Sequence, residues 1–301
     1  MPNLLAHCGV QGVLTHALIK GAPPAWITVG CLIPDVPWIL ARMAKIVMPP
    51  SAAYDVQLYA IVQATLALSL LLAAGLAFLS RRPGWVFRIL AFNVVVHLLL
   101  DASQIKWSSG VHFFAPFTWT LRHWGWFWPE SLITVLCTVA GVVYLLWAMR
   151  HPSQPAPTSA LSRTMRHLLA TVFLVIYFLL PFALWHGPYA TDNHFIKTLH
   201  ERDAQSGRPI ELDRANYVPR VEGDRIYNFA GEGFKIQGYS GDRVAKLSVK
   251  GKLLDAETIR IDQAHVHWPH FRDWASYIGL IWLGALWSKS WWQQCRHPGP
   301  T

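Results

Sequence analysis

His97 and Asp101 stand four residues apart in the run Asn93 to Pro116, NVVVHLLLDASQIKWSSGVHFFAP, and so share one face of a helix. Asn93, one turn earlier, extends the same polar stripe along an otherwise apolar segment. Ionisable groups in or at the edge of a membrane-spanning helix cost several kcal/mol unless they are paired, hydrated or metal-bound, so the stripe points to a functional site. The run GCLIPDVPW, Gly30 to Trp38, supplies a second carboxylate in Asp35, and His7 a second imidazole. Zinc and similar metals in hydrolases are held by histidine nitrogens and carboxylate oxygens, with an open position for a water whose pKa falls toward about 7. His7, Asp35, His97 and Asp101 offer that donor set, with Asp35 or Asp101 serving as ligand or catalytic base. His16 and His112 are additional candidates. The plainer alternative is that His97 and Asp101 form a hydrogen-bonded pair sealing a helix bundle, with Asp35 a turn or cap residue.

A rival cluster lies in AHVHWPHFRD, where His265, His267, His270 and Asp273 crowd together. Strand alternation places His265 and His267 on one face, which permits a metal. The neighbouring Trp268, Pro269, Phe271 and Arg272 suit an interfacial hinge better than a metal site. No G-x-S-x-G elbow, P-loop, HExxH or dinucleotide fingerprint occurs.

The elements that must position these residues belong to a membrane protein. Of 301 residues 53% are hydrophobic and only 14% charged, with 16 tryptophans, which is not the balance of a soluble domain. Residues 1 to 22 suit an interfacial or re-entrant helix. Residues 25 to 47 are apolar but interrupted by Pro34, Asp35 and Pro37, a break tolerated where protein or a watery cavity surrounds it. Five spans are expected: Leu58 to Leu79, Trp85 to Asp101, Ser131 to Met149, His167 to Trp185 and Trp274 to Trp291, each near the roughly 20 residues that match the hydrocarbon thickness. The loop bearing Trp107, Trp119, Trp124, Trp126 and Trp128 is expected on the bilayer surface. Residues 150 to 166 read as a Pro-rich linker. From Ile210 to His267 short strands alternate with turn signals, an inserted small antiparallel β-domain for which an OB-like barrel is one option. The organisation is thus an α-helical multi-pass protein. It has a membrane-embedded core (1–149), a linker (150–166), a spanning helix (167–186), a β-domain (187–273), and a last span with a short tail (274–301).

The formal charge of +9 is unevenly placed. Residues 200 to 274 hold 12 of the 26 Lys/Arg and 12 of the 17 Asp/Glu, so the excess lies in the membrane part. The balanced β-domain is not expected to bind nucleic acid. Arg81, Arg82, Arg88, Arg150, Arg163, Arg166, Lys289 and Arg296 fall on one side, which the positive-inside rule makes cytoplasmic. Asp35, Asp55, Asp101, Glu130 and Asp192 fall on the other, with the β-domain. Cys8, Cys31, Cys137 and Cys295 lack a disulfide spacing. His7 occupies the place of a small residue in the lipoprotein-like stretch Leu5 to Cys8, so no cleaved signal is expected.

The order of an N-terminal His, G-x-x-I-P-D (Gly30 to Asp35), H-L-L-L-D (His97 to Asp101) and G-V-H-F-F-A-P-F (Gly110 to Phe117) resembles the LexA-regulated, inner-membrane-associated metal-dependent hydrolase family. The resemblance covers roughly residues 1 to 130. It departs where Tyr54, Asp55 and Gln57 stand in place of an H-R-G-x-T-H-S segment. It implies a multi-pass bacterial inner-membrane protein similar to zinc phospholipases C, with a zinc-type centre that the charge count of the loops puts at the outer face. The function then expected is hydrolysis of an ester or phosphoester, with a membrane lipid or lipid-linked molecule as substrate. The contrasting expectation is a non-enzymatic membrane adaptor whose β-domain recruits an envelope partner.

Overall fold

The computed structural model describes residues 3–151, 161–204 and 206–296, so the centre of the Pro-rich linker and the C-terminal tail lie outside the described residues. Helix starts follow local cap chemistry. Asn3 Oδ1 accepts from Ala6 N at the head of α1 (Leu4–Leu18), and Pro24 opens α2 (Pro24–Leu32). A 3₁₀ turn, Ile33–Asp35, joins α2 to α3 (Val36–Val47). Next come α4 (Ala53–Gln63), α5 (Leu66–Phe78), α6 (Pro83–Ser103), α7 (Leu132–Arg150), α8 (Arg163–Leu184) and the single-turn α9 (His186–Ala190) and α10 (Ile196–His200). Helix α11 (Phe271–Arg296) follows the β-domain.

Among the described residues four helices are long and apolar enough to cross a membrane: Pro24–Val47, α6, α7, and α8 continued through α9. A fifth is reached only if α4 and α5 count as one span. This differs from the expected five in three places. The Pro-Asp segment continues as helix, because Pro34 lies in the 3₁₀ turn and Pro37 in the first turn of α3, where a missing N–H leaves no broken bond. The run Leu58 to Leu79 is not one helix: it bends by 72° after Ala64, where the Thr65 side chain caps α5 by accepting from Leu68 N. Helix α11 is continuous but falls outside the four, since Ser276, Ser288 and Lys289 dilute its apolar residues.

Two apolar clusters hold the helices together. One joins Leu5, Cys8, Ile27, Ile89, Leu145, Leu283 and Leu286 from α1, α2, α6, α7 and α11. The other joins Leu72, Leu90, Val94, Leu98 and Tyr177 from α5, α6 and α8. Arg166 donates to the Ser80 carbonyl and Lys289 to the Met149 carbonyl, so basic side chains close helix ends on one side of the bundle.

The β-domain is a closed five-stranded barrel of β1 (Pro209–Val218), β2 (Arg225–Tyr227), β3 (Gly233–Gln237), β4 (Ala245–Leu253) and β5 (Thr258–Val266), ordered β1-β2-β3-β5-β4. It is not wholly antiparallel, because β3 and β5 run parallel. Alternate residues such as Ile210, Leu212, Tyr217, Leu247, Val249, Ile259 and Ile261 fill its interior. Tyr54, Leu58 and Ile61 of α4 join that same core, which is why α4 turns away from α5 instead of extending it. The chain enters the barrel through Asp192, His194 and Phe195, all in the left-handed region at φ 51°, 56° and 55°.

Candidate metal centre

Glycines bring the candidate residues together. Gly9 on α1 packs against Gly141 on α7, and a Cβ on Gly141 would run into the Leu5 carbonyl. A Cβ on Gly30 would lie 2.6 Å from the Cβ of Asn93, so α2 rests directly on α6. Asn93 donates to Thr15 Oγ1 (3.0 Å) and to the Ile89 carbonyl (2.8 Å), tying α6 to α1. These close crossings put His7 of α1, Asp35 at the end of the 3₁₀ turn, and His97 and Asp101 of α6 in one place.

His7 Nε2 lies 3.6 Å from Asp101 Oδ1, His97 Nε2 3.6 Å from Asp35 Oδ1, and His97 Nε2 3.8 Å from Asp101 Oδ2. These separations are too long for hydrogen bonds. They are close to the roughly 3.4 Å edge of a tetrahedron whose centre is about 2.1 Å from each corner, the size of a zinc site with nitrogen and oxygen ligands. Ligand atoms of His7, His97 and Asp101 all fall within 4.8 Å of one another; Asp35, expected as a fourth member, lies outside this group and approaches it at His97. His7 Nε2, His97 Nε2 and Asp35 Oδ1 are buried without a hydrogen-bond partner, and Asp101 Oδ1 faces only the Lys106 ammonium, 3.1 Å away. Three orphaned polar atoms crowded in an apolar surround are costly as they stand, and a cation held by His7, His97 and Asp101 beside Asp35 would offset that cost.

The rings are oriented from behind. His97 Nδ1 donates to the Cys31 carbonyl at 2.8 Å, which leaves the Nε2 lone pair facing the carboxylates. Gln11, one turn after His7, has its amide nitrogen Nε2 3.2 Å from His7 Nδ1. Turning this amide over, which also relieves the unpartnered Gln11 Oε1, lets Gln11 accept an Nδ1–H and frees His7 Nε2 in the same way. The two imidazoles stack at 3.7 Å with 6° between planes. Parallel planes carry parallel lone pairs, so a shared ion requires the rings to tilt toward it. The histidine side chains are fully buried, whereas Asp35 keeps 14% of its side-chain exposure, so the centre opens on the Asp35 side.

Lys106, which sequence reasoning passed over, places Nζ 3.1 Å from Asp101 Oδ1 and is itself buried. A lysine in a Trp-rich loop reads by default as solvated, and its only sequence signal is its position five residues after Asp101. The loop is fastened to the end of α6 by Trp124 N to the Ala102 carbonyl (2.6 Å) and Trp126 N to the Ser103 carbonyl (2.8 Å). In this loop Phe117, Trp126 and Trp124 are left exposed at 96%, 70% and 47%.

The other candidates lie elsewhere. His16 packs among Tyr144 and Trp147. His112 is buried edge-on to Trp119, and its burial beside His194 pushes its pKa down to about 3. Tyr54, Asp55 and Gln57 sit on α4; Tyr54 Oη donates to Glu232 of the barrel, and Gln57 accepts from Lys45.

The rival cluster has a different membership. His265 and His267 meet Glu130, from the start of α7, while His270 is exposed in a left-handed turn and Asp273 begins α11. By spacing alone Glu130, His265 and His267 could hold an ion. Ser248 Oγ donates to Asp213 (2.6 Å), so His267 Nε2 donates to that oxygen (2.7 Å) while Nδ1 donates to Glu130 (2.7 Å). Both ring nitrogens are then used as donors, and the Arg214 guanidinium 3.2 Å from Glu130 adds a competing positive charge. Burial works against ionised Glu130, but the His267 hydrogen bond and the charges of His267 and Arg214 hold its pKa below the usual carboxylate range. The same contacts resemble a Ser-His-Glu relay, yet Ser248 is fully buried and spends its proton on Asp213, so it is no nucleophile. This network fastens barrel to bundle.

No protein-family model matches the chain, no curated protein matches it, and no solved structure matches it.

Proposed function

We propose that this chain is a membrane-bound, metal-dependent hydrolase of an ester or phosphoester at the bilayer surface. The observation that carries the proposal is the convergence of ligand atoms from His7, His97 and Asp101 in one buried cluster, with Asp35 Oδ1 3.6 Å from His97 Nε2. Their nitrogen and carboxylate donors suit zinc. A metal held there would supply Lewis acidity and an activated water. The chain's own part is to orient His97 through the Cys31 carbonyl and His7 through Gln11, and to exclude water from all but the Asp35 side. Asp35, the more exposed carboxylate, is the one placed to take a proton from an entering water.

A lipid or lipid-linked substrate is favoured by the exposed Phe117, Trp124 and Trp126, whose loop hangs from the two residues after Asp101. The basic helix ends at Arg166 and Lys289 support a cytoplasmic assignment for that side. The centre and the barrel, which we read as OB-like, then lie at the outer face of a bacterial inner membrane. This agrees with the family resembled over residues 1 to 130.

The test is metal content. The purified chain should carry about one zinc or similar ion. His97→Ala and Asp35→Asn should each remove it, and His270→Ala should not. A folded wild-type protein that takes up no divalent metal would overturn the proposal.

A further inference from the structure

Lys106 is only 4% exposed, and among the described residues Asp101 is the one carboxylate within 4.0 Å of its ammonium. It is held in place on both sides. Ile105 N donates to the Phe127 carbonyl (2.8 Å), and Ser108 N, in a left-handed turn at φ 61°, donates to Glu211 of the barrel (2.7 Å). A lysine fixed this firmly at the rim of a metal-type centre is part of the site.

Charge counting gives its role. Asp35 and Asp101 bring two negative charges and Lys106 one positive, a net −1 that a divalent cation converts to +1. Without Lys106, the cation and two carboxylates would cancel, leaving a neutral centre suited to a neutral ester. With it, the loaded centre carries uncompensated positive charge in a low-dielectric surround, which favours an anionic occupant. The cation and the ammonium also compete for Asp101, so binding the one releases the other on its flexible four-carbon stem.

There is room for an anion's remainder nearby. A cleft of about 480 Å³ between the Trp-rich loop and the barrel is lined by Ser108, Thr120, His123 and His194 and by two carboxylate residues, Asp192, bonded to Thr198, and Glu211, bonded to Ser108 N and Lys250. The His194 ring lies 5.8 Å from that of Trp38, one turn along from Asp35. Ser108, two residues after Lys106, lines the cleft. Hydroxyl and imidazole groups of this kind suit a polar headgroup.

We infer that Lys106 is the specificity-determining residue of this centre and selects a substrate bearing a phosphate oxyanion. The inference rests on the metal-dependent reading above and deepens it. Its test measures binding by the full-length protein in neutral detergent, loaded with zinc, using isothermal titration with two probes: inorganic phosphate and dihexanoyl phosphatidylglycerol. Wild type, Lys106→Met and Lys106→Arg are compared, with zinc content as the control for an intact centre. Lys106→Met should keep its zinc, because the competitor for Asp101 is gone, yet bind the recognised probe on the order of 10 to 100 times more weakly, the worth of a charge-assisted hydrogen bond. Lys106→Arg should recover part of that loss. Lysine-dependent binding of the phospholipid assigns a lipid substrate, and of inorganic phosphate alone a soluble phosphoester; either outcome supports the inference. Equal binding by Lys106→Met and wild type, both zinc-loaded, overturns it and leaves the hydrolase reading standing. Loss of zinc from Lys106→Met overturns it by making Lys106 a support of the ligands. A wild type that binds no zinc removes the reading beneath it.

Discussion

Asn in place of Asp101 tests whether the centre is an ionic unit or a set of polar groups that happen to meet. Asp101 and Lys106 side chains are 8% and 5% exposed and lie 3.1 Å apart, so water screens their attraction poorly. Removing one partner of such a buried pair costs about 3–5 kcal/mol, chiefly because the remaining charge is stranded. Asn keeps the shape of Asp101 and one acceptor oxygen, so the lower end, about 3 kcal/mol, is expected. At about 2 °C per kcal/mol for a chain of this size, the unfolding midpoint should fall by roughly 6 °C. The double variant Asp101→Asn/Lys106→Met removes both charges and should recover most of that loss, since the two residues couple directly. The assay is thermal unfolding of metal-free protein in one detergent at one scan rate, followed by tryptophan fluorescence. A single variant within about 1 kcal/mol of wild type, or a double variant no more stable than the single, would refute the reasoning, because the pair would then carry no such energy.

Two further outcomes follow from the groups around the centre and the barrel. Gln11→Leu removes the side chain that orients His7 without touching a ligand atom, so zinc affinity should fall by about 10 to 100-fold with the stoichiometry unchanged; an unaltered affinity would show that packing alone holds the ring. Glu130 is held below its ordinary pKa of 4.5, so its contribution to barrel docking is complete above that value and is lost as pH falls through the lower folded-state pKa. Amide exchange in β5 should therefore quicken below about pH 4.5, and Glu130→Gln should flatten that dependence.

Much of the architecture was legible because it depends on near neighbours in the chain. The four-residue spacing of His97 and Asp101 puts them on one face of α6 whatever surrounds it. Period-two alternation from Ile210 to His267 marks the strands, since a half-buried strand must alternate. The apolar lengths of α6, α7 and α8 follow in the same way. The bend at Ala64–Thr65 escaped that kind of reading, because hydropathy sums composition and is blind to direction. Its local signal was Thr65 as a cap, but its cause is tertiary: Tyr54, Leu58 and Ile61 are drawn into the barrel core.

The convergence of the site was decided by packing. His7 and Asp35 meet His97 and Asp101 because Gly9, Gly141 and Gly30 allow α1, α7, α2 and α6 to approach closely, and a glycine's value at a crossing depends on what lies opposite. Glu130 joins His265 and His267 although it stands 137 positions before His267 in the chain, and takes the place that sequence proximity suggested for His270 and Asp273. Lys106 is the sharpest case. In sequence it is one basic residue in a tryptophan-rich loop, and only the fastening of that loop to the end of α6 turns it inward, where Asp101 is its one close counter-charge among the described residues. Local periodicity follows from covalent neighbours and is written along the chain. The charge a buried pocket contains depends on distances through space, and the fold alone determines those.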